Sequence, residues 1–211
     1  VSSILIATSA YITTDAIKDT IMSQSYHIRP QNHIAGTITV PGDKSISHRS
    51  IMFGSLADGV THVSGFLQGE DALATLQAFA DMGVKIERDG DKVTIHGVGI
   101  DGLQASKEPL YMGNSGTSMR LLAGILSAQR FDSVMTGDVS LSKRPMERVA
   151  KPLREIGAVI QSTGEKGTAP LSITGSQSLT AIDYTLPVAS AQIKSGFILS
   201  SLWATGTTTI R

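Results

Sequence analysis

Apolar residues recur along the chain from residue 34 onward with two alternating periods, one typical of strands and one typical of helices. The pattern predicts a strand at 37–40, a helix at 47–57, a strand at 61–63, a helix at 72–82, and strands at 84–86 and 93–95. Gly83 is the predicted C-cap of the second helix. Asp89-Gly90-Asp91 predicts a hairpin turn between the last two strands.

The same order of elements recurs with a period of about 72 residues. Asp-Met-Gly-Val-Lys-Ile at 81–86 reappears as Glu-Ile-Gly-Ala-Val-Ile at 155–160. The triplet Ser-His-Arg at 47–49, which opens the first helix, is followed by Ser-Met-Arg at 118–120 and Gln-Ile-Lys at 192–194. Units of this size bury their apolar faces only against one another. The predicted fold is therefore α+β, a mixed α/β arrangement of repeated βαβαββ units packed around a pseudo-threefold axis.

The repeats give the predicted domain organisation. We expect an N-terminal extension at 1–25, disordered or belonging to a fused neighbour, and an incomplete region at 26–211 with repeats at 41–112, 113–181 and 182–211. The third repeat stops after its first helix and the following strand. The short apolar patch at 4–7 has no basic residue before it, and no apolar stretch reaches the length of a membrane span.

Composition narrows the possible chemistry. The 211 residues include 18 basic and 18 acidic side chains and no cysteine. Disulfides, thiolate nucleophiles and cysteine-ligated metals are excluded, and a net charge of zero gives no general attraction to nucleic acid or membranes. The five histidines show no metal-ligand spacing, so no metal is expected. His48 alone lies in a candidate site loop; a structural role is the first expectation and a functional role the alternative.

Three turns that begin equivalent helices share the features of anion sites, at 41–49, 113–120 and 187–194. Each has small residues, hydroxyls and a base one turn into the helix, namely Arg49, Arg120 and Lys194. A fourth cationic cluster places Lys143 and Arg144 in a loop before Pro145, which suits the first turn of a helix. The alternative for each is a capped helix with a solvated cation.

Four motifs occur in a fixed order along the chain. They are Pro-Gly-Asp-Lys-Ser-Ile-Ser-His-Arg at 41–49, Gly-Asn-Ser-Gly-Thr at 113–117 with Arg120, Thr-Gly-Asp at 136–138 through Lys-Arg-Pro-Met at 143–146, and the segment 187–194. Together they resemble the enolpyruvyl transferases, and within them the second bacterial class of the 5-enolpyruvylshikimate-3-phosphate synthases. The resemblance implies transfer of an enolpyruvyl group from phosphoenolpyruvate to shikimate 3-phosphate, on the path to chorismate and the aromatic amino acids.

The same resemblance assigns roles to residues of the first two motifs. It implies that Lys44 is catalytic and contacts both substrates, while Ser45 and Arg49 hold shikimate 3-phosphate. Gly116 would contact phosphoenolpyruvate. Asn114, Thr117 and Arg120 would support the site.

In the last two motifs, Arg144 would contact phosphoenolpyruvate, with Lys143 as the alternative because some relatives place their arginine earlier in this loop. Ser190 and Ala191 would line the pocket for the shikimate phosphate. Gln192 would touch both ligands, and Lys194 would support them. The resemblance implies no cofactor, no metal and no nucleic-acid or membrane partner, and a cytoplasmic enzyme that is monomeric when complete.

One departure, one match and two alternatives bear on the resemblance. Leu121 stands where many relatives have proline, and Gly116 matches the form that is sensitive to glyphosate, so competition between glyphosate and phosphoenolpyruvate is expected. A non-catalytic half that binds only shikimate 3-phosphate remains open. The related transferase acting on UDP-N-acetylglucosamine is disfavoured, because it carries Asn where Ser45 stands and usually a reactive cysteine.

Overall fold

The computed structural model describes residue 30 and residues 35–175 and 178–211. The chain divides into two units, Val1–Val40 and Pro41–Arg211. In the first unit the described residues form neither helix nor strand. The extension predicted at 1–25 lies outside the described residues. All the helices and strands given below belong to the unit Pro41–Arg211.

This unit alternates helices and strands. The order is α1 (Lys44–Leu56), β1 (Asp58–Val63), α2 (Glu70–Asp81), β2 (Lys85–Asp89), β3 (Lys92–Val98), β4 (Leu110–Tyr111), α3 (Gly116–Leu126), β5 (Ser133–Thr136), α4 (Glu147–Glu155), β6 (Val159–Ser162), β7 (Leu171–Thr174), β8 (Asp183–Tyr184), α5 (Ala191–Ser200) and β9 (Thr209–Ile210). Short 3-10 turns lie at Leu141–Lys143, Glu165–Gly167 and Ser201–Trp203.

The first helix begins three residues earlier than predicted. The side chain of Asp43 accepts a hydrogen bond from the Ile46 backbone N–H at 2.7 Å, so Asp43 is the N-cap and Lys44 already lies in the first turn. The prediction that Gly83 is the C-cap of the second helix is wrong by one residue. The helix ends at Asp81 with Met82 as its C-cap, and Gly83, with φ +91°, is the next residue, where a left-handed glycine commonly ends a helix.

The hairpin at 89–91 is confirmed. Asp89 pairs with Lys92, which leaves Gly90 and Asp91 as a two-residue loop. Gly90 has φ +58°, a backbone conformation that this type of turn requires at a glycine. The two strands are therefore joined as tightly as the sequence indicates.

The strand predicted at 37–40 is wrong. These residues are not part of any ladder described for the chain, and Ile38 and Val40 are 57% and 70% exposed. An extended segment becomes a strand only where its backbone groups meet a neighbouring strand. Two strands that the pattern missed, β4 and β8, do have such neighbours, because they pair in parallel with β5 and β9.

Strands β5, β7 and β6 of the second sheet repeat the order of the first sheet, and the parallel pair β8-β9 of the third sheet repeats the pair β4-β5. The first sheet has the order β1-β3-β2, the second β4-β5-β7-β6, and the third β8-β9. In the first two sheets the central strand pairs antiparallel with both neighbours taken from its own repeat. The fold is mixed α and β, as expected. The packing of the repeats about a threefold axis stays a prediction.

The core lies among the helices and the faces of the sheets that they cover. Helix α3 is buried on nearly every side, as its apolar sequence Met-Arg-Leu-Leu-Ala-Gly-Ile-Leu indicates. It crosses α5 closely enough that a Cβ placed on Gly124 would lie 1.9 Å from the carbonyl oxygen of Gly196. Only glycine permits this approach. Among the described helices, none is long and apolar enough to cross a membrane.

Candidate functional site

The first two turns of α1 contain two cationic side chains, of which one is in an ion pair and the other is exposed. Lys44 forms an ion pair with Asp71 in the first turn of α2. Arg49, one turn further along α1, is exposed and forms neither a hydrogen bond nor an ion pair with any described residue. Ser45 is also exposed in the first turn. Lys44 is therefore held in place by its neighbour, while Arg49 is open to a ligand from solvent.

The first turn of α3 lies under two guanidinium groups. Ser115 caps this helix by accepting a hydrogen bond from the Ser118 N–H at 3.1 Å. A Cβ placed on the next residue, Gly116, would lie 2.8 Å from Nη1 of Arg120 and 3.1 Å from Nη1 of Arg144. The absence of a side chain at Gly116 thus allows both cations to approach the start of the helix, where backbone N–H groups favour an anion.

Arg144 reaches this position through a polar relay. Its Nη2 donates a hydrogen bond to Oδ1 of Asn114, and Nδ2 of Asn114 donates to Oδ2 of Asp138 at 2.9 Å. The backbone N–H of Leu141 donates to the other oxygen of Asp138 at 2.7 Å and is the largest cause of the lowered pKa of that carboxyl. Asp138 therefore stays ionised and orients Asn114, which in turn orients Arg144.

Lys143 does not take part in this arrangement. It is exposed at the end of the turn Leu141–Lys143 and contacts no carboxylate or hydrogen-bond acceptor of the described chain through its side chain. The prediction that Pro145 occupies the first turn of a helix is wrong, because α4 begins at Glu147 after the N-cap Met146. Pro145 instead forms a bridge with Thr168, which keeps this segment extended and directs Arg144 toward Gly116.

Arg120 and Gln192 join α3 to α5. Nη1 of Arg120 donates to Oε1 of Gln192 at 2.7 Å, and Nε2 of Gln192 donates to Oγ1 of Thr117 at 2.9 Å. Burial, followed by the nearby charges of Arg144 and Arg148, lowers the pKa of Arg120. The guanidinium remains charged near neutral pH, since arginine titrates far above it, but it lies in a region of excess positive charge.

The start of α5 completes the predicted set. Ser190 caps this helix and accepts a hydrogen bond from the Ile193 N–H at 3.4 Å. Ala191 is exposed in the first turn. Lys194 is exposed and, within residues 35–175 and 178–211, has no hydrogen-bond or ion-pair partner for its ammonium group. The hydrogen bonds of Gln192 with Arg120 and Thr117 place the start of α5 beside the start of α3.

The structure therefore connects six predicted residues by side-chain hydrogen bonds or by contact at Gly116, namely Asn114, Gly116, Thr117, Arg120, Arg144 and Gln192. It leaves five others exposed or partly exposed at helix starts without side-chain bonds to that cluster, namely Ser45, Arg49, Ser190, Ala191 and Lys194. No group of three or more His, Asp or Glu side chains in the described part of the chain is placed to hold a metal ion.

Sequence reasoning missed several polar residues around the cluster. Asp71 pairs with Lys44 from 27 positions away, and nothing in the local sequence signals this contact. Asp138 is part of a recognised motif, but its role in orienting Asn114 appears only in the folded chain. A buried group of hydroxyls, Thr75, Ser115 and Ser118, also lies behind the site and contacts His48.

His48 is fully buried in α1. Its Nδ1 lies 2.7 Å from Oγ1 of Thr75, and its Nε2 is buried without a hydrogen-bond partner among the described residues. Burial lowers the pKa of His48 to about 4, with a smaller opposing effect of the Asp71 carboxylate and a smaller reinforcing effect of the Lys44 ammonium. The ring is therefore neutral at pH 7.

Several known proteins are similar to this chain in sequence and in fold. Residues 28–211 match the family model of EPSP synthase (3-phosphoshikimate 1-carboxyvinyltransferase). A protein of Ruthia magnifica subsp. Calyptogena magnifica, named 3-phosphoshikimate 1-carboxyvinyltransferase, is 60% identical over 184 residues, which cover 87% of this chain and 42% of that protein. A protein of the same name from Nitrosococcus oceani is 53% identical over 189 residues, covering 89% of this chain and 42% of its own length.

The solved structure of EPSP synthase from Acinetobacter baumannii is similar to this chain with a TM-score of 0.81 and 71% sequence identity. The match covers 83% of this chain and 40% of that one. The chain thus spans well under half the length of the relatives that it matches.

Proposed function

The chain belongs to the EPSP synthase (3-phosphoshikimate 1-carboxyvinyltransferase) family, and we propose that residues 26–211 form the part of such an enzyme that binds shikimate 3-phosphate and contacts phosphoenolpyruvate. The whole enzyme would transfer the enolpyruvyl group of phosphoenolpyruvate to the 5-hydroxyl of shikimate 3-phosphate and release phosphate. Within this chain, the fold would consist of the repeats 41–112 and 113–181 and the incomplete repeat 182–211, packed about a threefold axis.

One observation carries this proposal: two guanidinium groups lie against Gly116, and no described residue forms an ion pair with either of them. Among the described residues, neither Arg120 nor Arg144 has a carboxylate within ion-pair distance, and the repulsion between them contributes to the lowered pKa of Arg120. A bound anion relieves this repulsion and adds charge-assisted hydrogen bonds. Phosphoenolpyruvate, with a carboxylate and a phosphate, has the required charge.

The exposed helix starts would take the second substrate. Ser45 and Arg49 on α1 and Ser190 and Ala191 on α5 offer hydroxyls, backbone N–H groups and a cation without a partner, which together suit a phosphate ester. Gln192 is oriented by Arg120 and would contact both ligands from its place between α3 and α5. Lys194 would support the same phosphate.

Lys44 is the proposed catalytic residue within this part of the enzyme. Its ammonium is fixed by Asp71 and would contact both substrates, which offsets the repulsion between two anions brought together. The reaction adds the 5-hydroxyl to a protonated enolpyruvyl carbon, and the tetrahedral intermediate then loses phosphate. This step requires an acid and a base. From the resemblance, we expect the key acidic groups in the rest of the enzyme.

The wider setting follows the family as well. We propose that the complete enzyme is a cytoplasmic monomer whose partners are its two substrates. For the 211-residue chain by itself, we favour binding of shikimate 3-phosphate without turnover, because the chain spans about 42% of its relatives and the proposed acid and base lie outside it. The relatives reported above do not favour the transferase acting on UDP-N-acetylglucosamine.

The first experiment joins residues 28–211 to the remainder of the Acinetobacter baumannii enzyme and measures phosphate release. We expect release that requires both shikimate 3-phosphate and phosphoenolpyruvate. Arg144→Ala should raise the KM for phosphoenolpyruvate about tenfold or more, since a charge-assisted bond is lost. The matched change Lys143→Ala should leave it within about twofold. A folded joined protein without turnover, or a larger effect of Lys143→Ala, would contradict the proposal.

The second experiment uses the 211-residue chain itself. Calorimetry should detect binding of shikimate 3-phosphate, and Arg49→Ala should weaken this binding about tenfold without changing the unfolding midpoint in urea. The exposed position of Arg49 makes a folding effect unexpected. Turnover by the chain alone would refute its assignment as a non-catalytic part. Equal affinity of Arg49→Ala and wild type would refute the role of Arg49.

A further inference from the structure

A buried chain of polar groups runs behind the site and connects three helices. Nδ1 of His48 in α1 lies 2.7 Å from Oγ1 of Thr75 in α2, and that oxygen lies 2.7 Å from Oγ of Ser118 in α3. Oγ of Ser118 in turn lies 2.6 Å from Oγ of Ser115, the cap of α3. All four side chains are fully buried. Such a network costs free energy unless every member has a partner.

The network contacts two parts of the proposed site, the start of α3 and the segment that carries Asp71. Ser115 and Ser118 enclose Gly116 and Thr117, the residues beneath the two guanidinium groups and beside Gln192. Oγ of Ser118 also lies 3.2 Å from the backbone oxygen of Asp71, whose carboxylate holds Lys44. Movement of Ser118 would therefore disturb the start of α3 and the anchor of Lys44 together.

The two ring nitrogens of His48 assign a direction to the first contact of this network. A neutral imidazole has one N–H, and Nε2 of His48 is buried without a hydrogen-bond partner among the described residues. A proton on Nε2 would leave a buried donor without an acceptor, which is costly. The proton is therefore assigned to Nδ1, which donates to Oγ1 of Thr75 at 2.7 Å. The hydroxyl of Thr75 is then free to donate to Ser118 or to the backbone oxygen of Asp71, and Ser118 donates to Ser115.

We propose that His48 is a positioning residue for the enolpyruvyl transfer, because its Nδ1–H orients the hydroxyls of Thr75 and Ser118 and thereby fixes Gly116 and the Asp71–Lys44 pair in one arrangement. This inference rests on the proposed function. A hydrocarbon side chain would fill the same volume but would leave Thr75 without its donor. The neutral ring at pH 7 agrees with this role.

The first measurement is the tautomer of His48 in the 211-residue chain, read from the nitrogen-15 NMR shifts of its ring. We expect protonated Nδ1 and unprotonated Nε2 at pH 7. A protonated Nε2 would overturn the inference, since Nδ1 would then have no proton to donate to Thr75.

Two matched pairs of variants test the consequence for the site. His48→Asn places an amide donor near the position of Nδ1, whereas His48→Gln places its amide near that of Nε2. Thr75→Ser keeps the hydroxyl, whereas Thr75→Val removes it at constant shape. In the joined enzyme, we expect His48→Gln and Thr75→Val to raise the KM for phosphoenolpyruvate and lower kcat, each about tenfold, and His48→Asn and Thr75→Ser to restore values within about threefold of wild type.

The outcomes separate this inference from the function on which it rests. If wild-type enzyme turns over but the two members of each pair behave alike, the inference is overturned and the proposed function stands. If wild-type enzyme fails to turn over, the proposed function fails. Backbone amide shifts of Gly116 and Thr117 in the 211-residue chain report the network independently. A change with His48→Gln and none with His48→Asn supports the donor role, and equal changes overturn it.

Discussion

The buried ring of His48 makes stability depend on pH in a defined window. Its pKa is lowered from 6.5 to about 4 in the folded chain, chiefly because burial disfavours the charged imidazolium beside Asp71 and Lys44. Between these values the unfolded chain binds a proton that the folded chain does not. Stability must therefore fall as the pH drops from 6.5 toward 4, with a total of about 3 kcal/mol from the shift in pKa.

The assay is urea unfolding of wild type and His48→Asn at several pH values from 7 to 4.5. Asparagine does not titrate, so the stability of the wild type relative to the variant should decrease by most of that amount across the window. Below about pH 4.5 other groups contribute; the pKa of Glu147, for example, is lowered to about 2 by hydrogen bonds from Arg154 and Ser162. Parallel stability curves from pH 7 to 4.5 would refute the reasoning, because His48 would then have the same pKa in both states.

Two further substitutions test the site and the packing around it. Gln192→Glu should weaken binding of shikimate 3-phosphate more than Gln192→Ala does, because a carboxylate would repel the anion that Gln192 is proposed to contact and would also pair with Arg120, whose Nη1 lies 2.7 Å from the present amide oxygen; calorimetry on the 211-residue chain decides, and the reverse order would contradict it. Gly124→Ala should destabilise the fold by about 2 kcal/mol or more in urea unfolding, because its Cβ would lie 1.9 Å from the Gly196 carbonyl oxygen and the two helices would have to separate. Gly69→Ala is the control, since the nearest neighbours of its Cβ would lie at 3.8 Å. A loss below about 1 kcal/mol is expected there, because Gly69 is the N-cap of α2 and alanine caps a helix less well than glycine. Equal losses for the two variants would refute the packing argument.

Local periodicity was sufficient to predict the helices and most strands, because the spacing of apolar residues within each element indicates its type. The hairpin at Gly90 was predicted correctly for the same reason: a two-residue turn is specified by the residues that form it. The strand at 37–40 was predicted wrongly, because a strand depends on a neighbour that its own sequence does not describe. The short strands β4 and β8 were missed for the opposite reason, since two residues are too few to show a period.

The same distinction applies to the candidate site: features specified by neighbouring residues could be predicted, and contacts between distant residues could not. The helix starts with their caps and cations were readable as motifs, and Asp43, Ser115 and Ser190 do cap the three helices. The sequence did not decide between Lys143 and Arg144. Which of these two side chains approaches Gly116 depends on the extended segment held by the Pro145 bridge and on the reach of a planar guanidinium to Asn114. Contacts between residues far apart in sequence require the folded chain.

The cations of the site differ in how their charge is balanced, and this difference has a functional consequence. Lys44 has the carboxylate of Asp71, and Arg144 is oriented by Asn114 with Asp138 behind it. Among the described residues, Arg120 donates to two uncharged acceptors, the amide oxygen of Gln192 and the backbone oxygen of Gly116. The charge around Gly116 is therefore positive in a place where backbone N–H groups already favour an anion. Folding holds this repulsion in place before any ligand arrives, so an anionic substrate meets oriented donors rather than donors that must first reorganise. For the proposed reaction between two anions, that preorganisation would be the main contribution of this chain.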